Sequence, residues 1–325
     1  MTEDLGRGIK DKNYREVPCL EVSCQQNAKI ANIVQIISIF AAVKFLEQII
    51  SPIADEMARF EAFFAQTLKA DTEPMDNIMR YALETKGKRL RPILVLLGAK
   101  MFGEVNELTL RAATFAEMVH TATLIHDDVV DDDDRRRGHA SVKALFGNLS
   151  AVLAGDYLLA KAMLLLANDT AILNEMLRTT AAMSEGELMQ GAVGLSYWDG
   201  VGLSYHGSRC DATQQRLPRC DSPTTQYLDI ITRKTAMLMR SCCAAGALSV
   251  GATQEQIQQI SDFGLNFGIL FQLRDDLLDS ENTEMAQSLL PIYYDKAWHT
   301  LEGFPPSEIT FALRDLTVFC AERES

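Results

Sequence analysis

Apolar residues recur at three- and four-residue spacing through one long segment after another, and that period builds helices rather than sheets. It runs through FLEQIISPIADEMARFEAFF (45–64), ILVLLGAKMFG (93–103) and residues 107–131, 150–168, 171–193, 227–251 and 255–279. No segment alternates with a period of two, and none repeats another. Gly (19) and Pro (9) are sparse among 325 residues, so few positions interrupt helix. The expected fold class is all-α, a multi-helix bundle. Pro52 and Pro291 are expected to break their helices.

Residues 1–28 carry mixed charge without a period and read as an N-terminal extension. Residues 29–325 then form a single domain, in which 194–226 is an atypical loop containing Gly and Pro. The most apolar stretch, 30–45, is shorter than the roughly 20 residues of a membrane span. Asn32, Gln35 and Lys44 interrupt it, so it reads as a packing helix. The first residues lack the apolar run of a secretory signal. Seven cysteines without a CxxC pair suit a reducing, cytoplasmic setting without structural zinc; Cys210 and Cys220 are the candidates for a local bridge. A net charge of −13 argues against nucleic-acid and anionic-membrane partners.

The acidity is concentrated. DDVVD places Asp127, Asp128 and Asp131 at the end of an apolar helix, with Asp127 and Asp131 one turn apart on one face. Carboxylates so placed repel unless cations lie between them, and hard oxygen ligands suit Mg²⁺ shared with substrate phosphates. A single acidic run, extended here by Asp132, Asp133 and Asp134, also suits a solvated helix end. The second copy, DDLLD with Asp275, Asp276 and Asp279, closes another apolar helix. Two such ends facing one another would form a cleft that holds several Mg²⁺ ions and a diphosphate. Two basic clusters complement them: Lys88, Arg89 and Arg91 in GKRLRP, and Arg135, Arg136 and Arg137 in RRRG. Arg forks bind phosphate oxygens in pairs and Lys adds a point charge. Lys88, Arg91, Arg136 and Arg137 are the phosphate candidates, while Arg135 offsets the neighbouring aspartates.

In the order GKRLRP, HTATLIHDDVVD, RRRG, LAGDYLLAKA, SEGELMQ, RKTAMLM and FGILFQLRDDLLD, the chain resembles the trans-polyprenyl diphosphate synthases across about residues 50–190 and 227–279. That resemblance implies the isoprenoid synthase fold, helices around a central cavity, usually as a homodimer. It implies Mg²⁺-dependent head-to-tail condensation of isopentenyl diphosphate with an allylic diphosphate. Lys88, Arg91 and His120 would bind isopentenyl diphosphate with Arg137. Asp127 and Asp131 would hold Mg²⁺ on the allylic diphosphate, assisted by Arg136, and Asp275 and Asp279 would hold further Mg²⁺. Lys234, Thr235 and Gln272 would line the allylic substrate. The catalytic set so implied is Asp127, Asp128, Asp131, Lys234, Asp275 and Asp276. Ala122 and Thr123, one turn before Asp127, are not aromatic, which in that family leaves room for a product longer than farnesyl diphosphate; Met118 lies deeper.

After Asp279 the chain departs from the family. A Gly-Lys loop and a second Asp-Leu…Gly-Lys element are missing before SLLPIYY. The departure supports an alternative function, a non-catalytic subunit of the same fold. A class I terpene cyclase ranks below both, since it explains neither GKxxR nor a second DDxxD.

Overall fold

The computed structural model describes residues 45–84, 87–136, 138–198 and 223–323. The N-terminal extension, most of the apolar stretch 30–45, Cys210, Cys220 and Arg137 lie outside the described residues. Pro52 sits in a 3₁₀ turn, Ser51–Ile53, that leads into α1 (Ala54–Thr67). Then come α2 (Glu73–Glu84), α3 (Leu90–Lys100), α4 (Glu107–Val130) and a hairpin of β1 (Arg135–Arg136) and β2 (His139–Ala140). The series continues with α5 (Val142–Phe146), α6 (Asn148–Leu165) and α7 (Thr170–Trp198). It ends with α8 (Pro223–Ile231), a π-helical turn (Thr232–Ala236), α9 (Met237–Ser249), α10 (Gln254–Leu278), α11 (Thr283–Glu302) and α12 (Glu308–Glu322).

The helices lie where the apolar period places them. α3 is apolar all round, with every residue from Pro92 to Ala99 buried, the pattern of a helix enclosed by others. It packs against α4 and α9; α9 in turn packs on α7 and α10, and α10 on α11. The α3–α9 crossing is close enough to require glycine. A Cβ on Gly246 would lie 2.2 Å from the Val95 carbonyl oxygen. Cys242, Cys243 and Cys320 are buried free thiols.

Three expectations need correction. Pro291 does not break its segment: it lies inside the continuous α11. Its position is exposed, so water can satisfy the carbonyl that loses its partner. The region 194–226 is not a loop throughout, since α7 runs on to Trp198 and α8 starts at Pro223. Among the described residues there is also one strand pair, a two-residue antiparallel hairpin that pairs Arg135 with Ala140 and Arg136 with His139. Gly138 makes that turn at φ +80.

α6 is long and apolar enough to cross a membrane by length and composition, and 28% of it is buried. Asp156 and Lys161 interrupt it, and Lys161 Nζ donates to the Thr67 and Lys69 carbonyls at the end of α1. On its outer side Leu149 (75% exposed), Leu153 (50%) and Leu164 (74%) face solvent.

Candidate active site

The two helices that carry the aspartate motifs are built alike. α4 has 24 residues and α10 has 25. Each begins with a reciprocal capping box, Asn106 with Thr109 and Thr253 with Gln256. Each ends in the same turn. Asp132 follows DDVVD at φ +58, and Ser280 follows DDLLD at φ +60. The N–H of Asp133 returns to the Asp128 carbonyl at 3.0 Å, and that of Glu281 to the Asp276 carbonyl at 2.7 Å. These are Schellman-type stops with a non-glycine residue in the left-handed position. Asp132 and Ser280 tolerate it at some cost in strain.

In both motifs the middle aspartate is buried and taken up by internal partners. Arg136 Nε donates to Asp128 Oδ1 at 2.6 Å. Burial pushes Asp128 up and the arginine opposes it. Asp276 has neutral partners: the Tyr227 hydroxyl donates to Oδ2 at 2.5 Å and Gln272 Nε2 to Oδ1 at 2.7 Å. Thr235 in turn donates to Gln272 Oε1 at 2.7 Å. Thr235 and Gln272, expected to line the substrate, thus form a chain that anchors Asp276.

Of the outer aspartates, Asp275 has Arg323 as a partner, whereas Asp127 remains short of positive charge. Burial, then the Glu187 carboxylate and, more weakly, Asp131, pushes Asp127 up to about 6, against the pull of Lys234 and Arg136. Burial raises Asp275 while Arg323 pulls it back. Both motifs also sit at helix C-termini, where the backbone dipole adds negative potential. This excess is what a cation would relieve. Among the described residues no three His, Cys, Asp or Glu side chains stand close enough to hold a metal by themselves. The donor set fits an ion that completes its shell with water and substrate phosphate oxygens, as Mg²⁺ does.

A cavity of about 660 Å³ touches both motifs through Asp128 and Asp275. Lys88, Arg91, His120 and Arg136 line the same space. The expected cationic groups and the two acidic helix ends therefore meet in one place, with Arg137 outside the described residues. Lys234 stands apart from this wall. Its Nζ lies 2.7 Å from Glu187 Oε2 and donates to Gln190 Oε1 at 2.9 Å. Ala122 and Met118 are fully buried; neither they nor Thr123 line the cavity. Arg135 bonds the Gly138 carbonyl within its own hairpin, in keeping with a local role.

Three contributors were not singled out by sequence. Arg89, inside GKRLRP, opens α3 in a left-handed conformation (φ +55). It is held by Glu61 at 3.1 Å and Glu117 at 2.6 Å, over the Phe64 ring. It thereby fixes the backbone between Lys88 and Arg91. Tyr227 lies seven residues before Lys234, and no spacing rule ties a tyrosine there to Asp276. Arg323 reaches the cavity from the end of α12, bonds Asp275 Oδ1 at 2.5 Å and stacks 4.1 Å from the Phe271 ring centre. A lone basic residue near the chain end gives no sequence signal of that contact.

The comparisons with known proteins agree with this arrangement. Residues 72–288 match the family model described as Polyprenyl synthetase. The heptaprenyl diphosphate synthase component 2 of Geobacillus stearothermophilus is 28% identical over 342 residues, covering 86% of this chain and 99% of that protein. The octaprenyl diphosphate synthase of Haemophilus influenzae is 33% identical over 242 residues, covering 72% of this chain but only 66% of that enzyme's length. The crystal structure of a Caulobacter crescentus polyprenyl synthase, complexed with calcium and isoprenyl diphosphate, superposes with a TM-score of 0.72 at 25% identity, over 86% of this chain and 98% of that one. The architecture is thus the all-α isoprenoid synthase fold, and the chain belongs to the polyprenyl synthetase family.

Proposed function

We propose that the protein joins isopentenyl diphosphate to an allylic diphosphate, head to tail, to make a trans-polyprenyl diphosphate longer than farnesyl. One observation carries this reading: a single cavity bordered by both aspartate motifs and by Lys88, Arg91, His120 and Arg136. Acidic and basic walls around one space suit a diphosphate bound together with cations, and suit neither alone. The isoprenyl diphosphate and calcium of the Caulobacter structure support the same pairing of ligand classes.

In this reaction the allylic carbon–oxygen bond breaks and diphosphate leaves with the electron pair. The isopentenyl double bond attacks the allylic carbon, a new carbon–carbon bond forms, and a proton is lost to restore a double bond. Mg²⁺, held by Asp127 and Asp131 on one helix end and Asp275 and Asp279 on the other, would supply Lewis acidity toward the leaving group. Lys88, Arg91, His120 and Arg137 bind isopentenyl diphosphate. Arg136 is shared between Asp128 and the allylic diphosphate, so it both anchors the first motif and meets developing charge. Thr235 and Gln272 act through Asp276, holding it by hydrogen bonds while the outer aspartates face the ions. Buried helix faces keep water from the cationic centre.

The homodimer belongs to the same proposal. The outward leucines of α6, with Leu145 (53% exposed) on α5, form the apolar surface that a second copy would cover. A cytoplasmic setting accords with the buried free thiols.

The test is purified protein with Mg²⁺, farnesyl diphosphate and labelled isopentenyl diphosphate. Elongated product is the expected result, and Asp127→Ala and Asp275→Ala each lower kcat by orders of magnitude. Normal activity in both variants would overturn the metal assignment. A second reading, a non-catalytic subunit, is favoured by the short link between α10 and α11, only residues 279–282, which leaves no room for the family's Lys-bearing loop. The Geobacillus relative is one component of its synthase by name. A folded protein that makes no product alone establishes this second reading.

A further inference from the structure

The segment SEGELMQ, residues 184–190, has no part in the scheme above, yet it meets the site at its most constrained point. The π-helical turn Thr232–Ala236 presents Lys234, and two glycines grip it. A Cβ on Gly186 of α7 would lie 2.8 Å from the Lys234 backbone nitrogen. A Cβ on Gly268 of α10 would lie 2.6 Å from Ala236 Cα. Two helices therefore touch the turn with bare backbone from two sides. A π-turn carries an extra residue and re-aims those that follow, which is why such turns recur at functional sites.

Here Arg233 and Lys234 turn to α7 and Thr235 turns to α10. Arg233 Nη1 lies 2.6 Å from Glu185, Thr235 donates to Gln272, and Lys234 points to α7. Glu187 and Gln190 stand one turn apart on α7; the Lys234 ammonium lies 2.7 Å from Glu187 Oε2 as an ion pair and donates to Gln190 Oε1 at 2.9 Å. An ammonium has three N–H donors. One is given to Gln190 and the charge is held against Glu187, so two contacts on α7 restrict where the ammonium can turn its remaining donors. α7, which carries Glu187 and Gln190, also packs against α4, the helix that ends in the first aspartate motif.

We propose that Glu187 and Gln190 are positioning residues: they orient the Lys234 ammonium so that its remaining N–H meets the allylic diphosphate held at Asp127 and Asp131. The inference rests on the function proposed above. It differs from a plain surface ion pair, which would contribute little to stability and nothing to ligand binding.

The experiment is a double-mutant cycle read by equilibrium binding of farnesyl thiolodiphosphate, a non-reacting allylic analogue, with Mg²⁺. Glu187→Ala and Gln190→Ala each weaken analogue binding by about fivefold to tenfold. Glu187→Gln, which keeps an acceptor oxygen, recovers part of the loss. In a Lys234→Ala background the same substitutions have no further effect, and the KM for isopentenyl diphosphate stays unchanged throughout. Losses that persist undiminished without Lys234, or an equal rise in the KM for isopentenyl diphosphate, would overturn the assignment. So would variants that lose melting temperature but not affinity. Wild-type protein that binds no analogue overturns the proposed function and this inference together; wild-type binding with an additive cycle overturns this inference alone.

Discussion

Asp127→Asn tests whether the site is built at the expense of the fold. An ordinary aspartate titrates near 3.8, and Asp127 is pushed up to about 6 by burial and by Glu187 and Asp131. At 1.36 kcal/mol per pKa unit, ionised Asp127 costs the folded state about 3 kcal/mol at neutral pH. The sign follows from proton uptake. Between pH 4 and 6 the folded state holds a proton that the unfolded chain has lost, so this cost is absent below about 4 and complete above about 6. Asparagine removes the charge with little change in shape. The variant therefore gains stability at pH 7.5 and loses that advantage as pH falls toward 4. Asp127 is half-buried and water screens part of the cost. At about 2 °C per kcal/mol for a large domain, the Tm rises by about 3–6 °C. Thermal denaturation by circular dichroism at pH 7.5 and pH 5 reads the effect. Adding Mg²⁺ with inorganic diphosphate should raise the Tm of the wild-type protein and leave the variant nearly unmoved. A variant that melts at or below the wild-type temperature at pH 7.5 would refute the reasoning.

Three further outcomes follow from the same structure. Tyr227→Phe leaves Asp276 Oδ2 without its donor and should cost about 1.5–3 kcal/mol in urea unfolding; a change under about 0.5 kcal/mol would show that the hydroxyl contributes nothing. Gly246→Ala drives a methyl group to 2.2 Å from the Val95 oxygen, and should lower the unfolding free energy measured in urea by about 1–3 kcal/mol or prevent folding; an unaltered stability contradicts the close α3–α9 approach. Thr123→Phe, one turn before Asp127, should shorten the product in chromatography of the dephosphorylated alcohols; an unchanged product length would place the chain-length limit elsewhere.

What sequence could convey was periodicity and local charge. The extents of α4 and α10 follow from apolar spacing, and the acidic clusters from the DDVVD and DDLLD motifs that close those helices. What it could not convey depends on crossings distant in sequence. Tyr227 and Asp276 are 49 residues apart and share a hydrogen bond because α8 lies against α10. The π-turn carries an ordinary helical pattern, and only its neighbours Gly186 and Gly268 distinguish it. Pro291 misled because proline disfavours helix without forbidding it, and at this exposed site water can take up the carbonyl that loses its partner. RRRG showed charge but not the hairpin that separates Arg136, which enters the cavity, from Arg135, which closes on its own turn.

The matching stops after the two aspartate motifs have a mechanical consequence. A helix residue advances about 100° around its axis. If either helix slipped in register by one residue against its stop, Asp128 or Asp275, the residue of each motif that lines the cavity, would be carried away from it by that angle. The aim of the aspartates before each stop is therefore a property of the main chain of α4 and α10, and the left-handed residues Asp132 and Ser280 fix where each helix ends. Side-chain rotamers adjust only what the backbone has already set, so each acidic end is aimed by the main chain before any side chain turns.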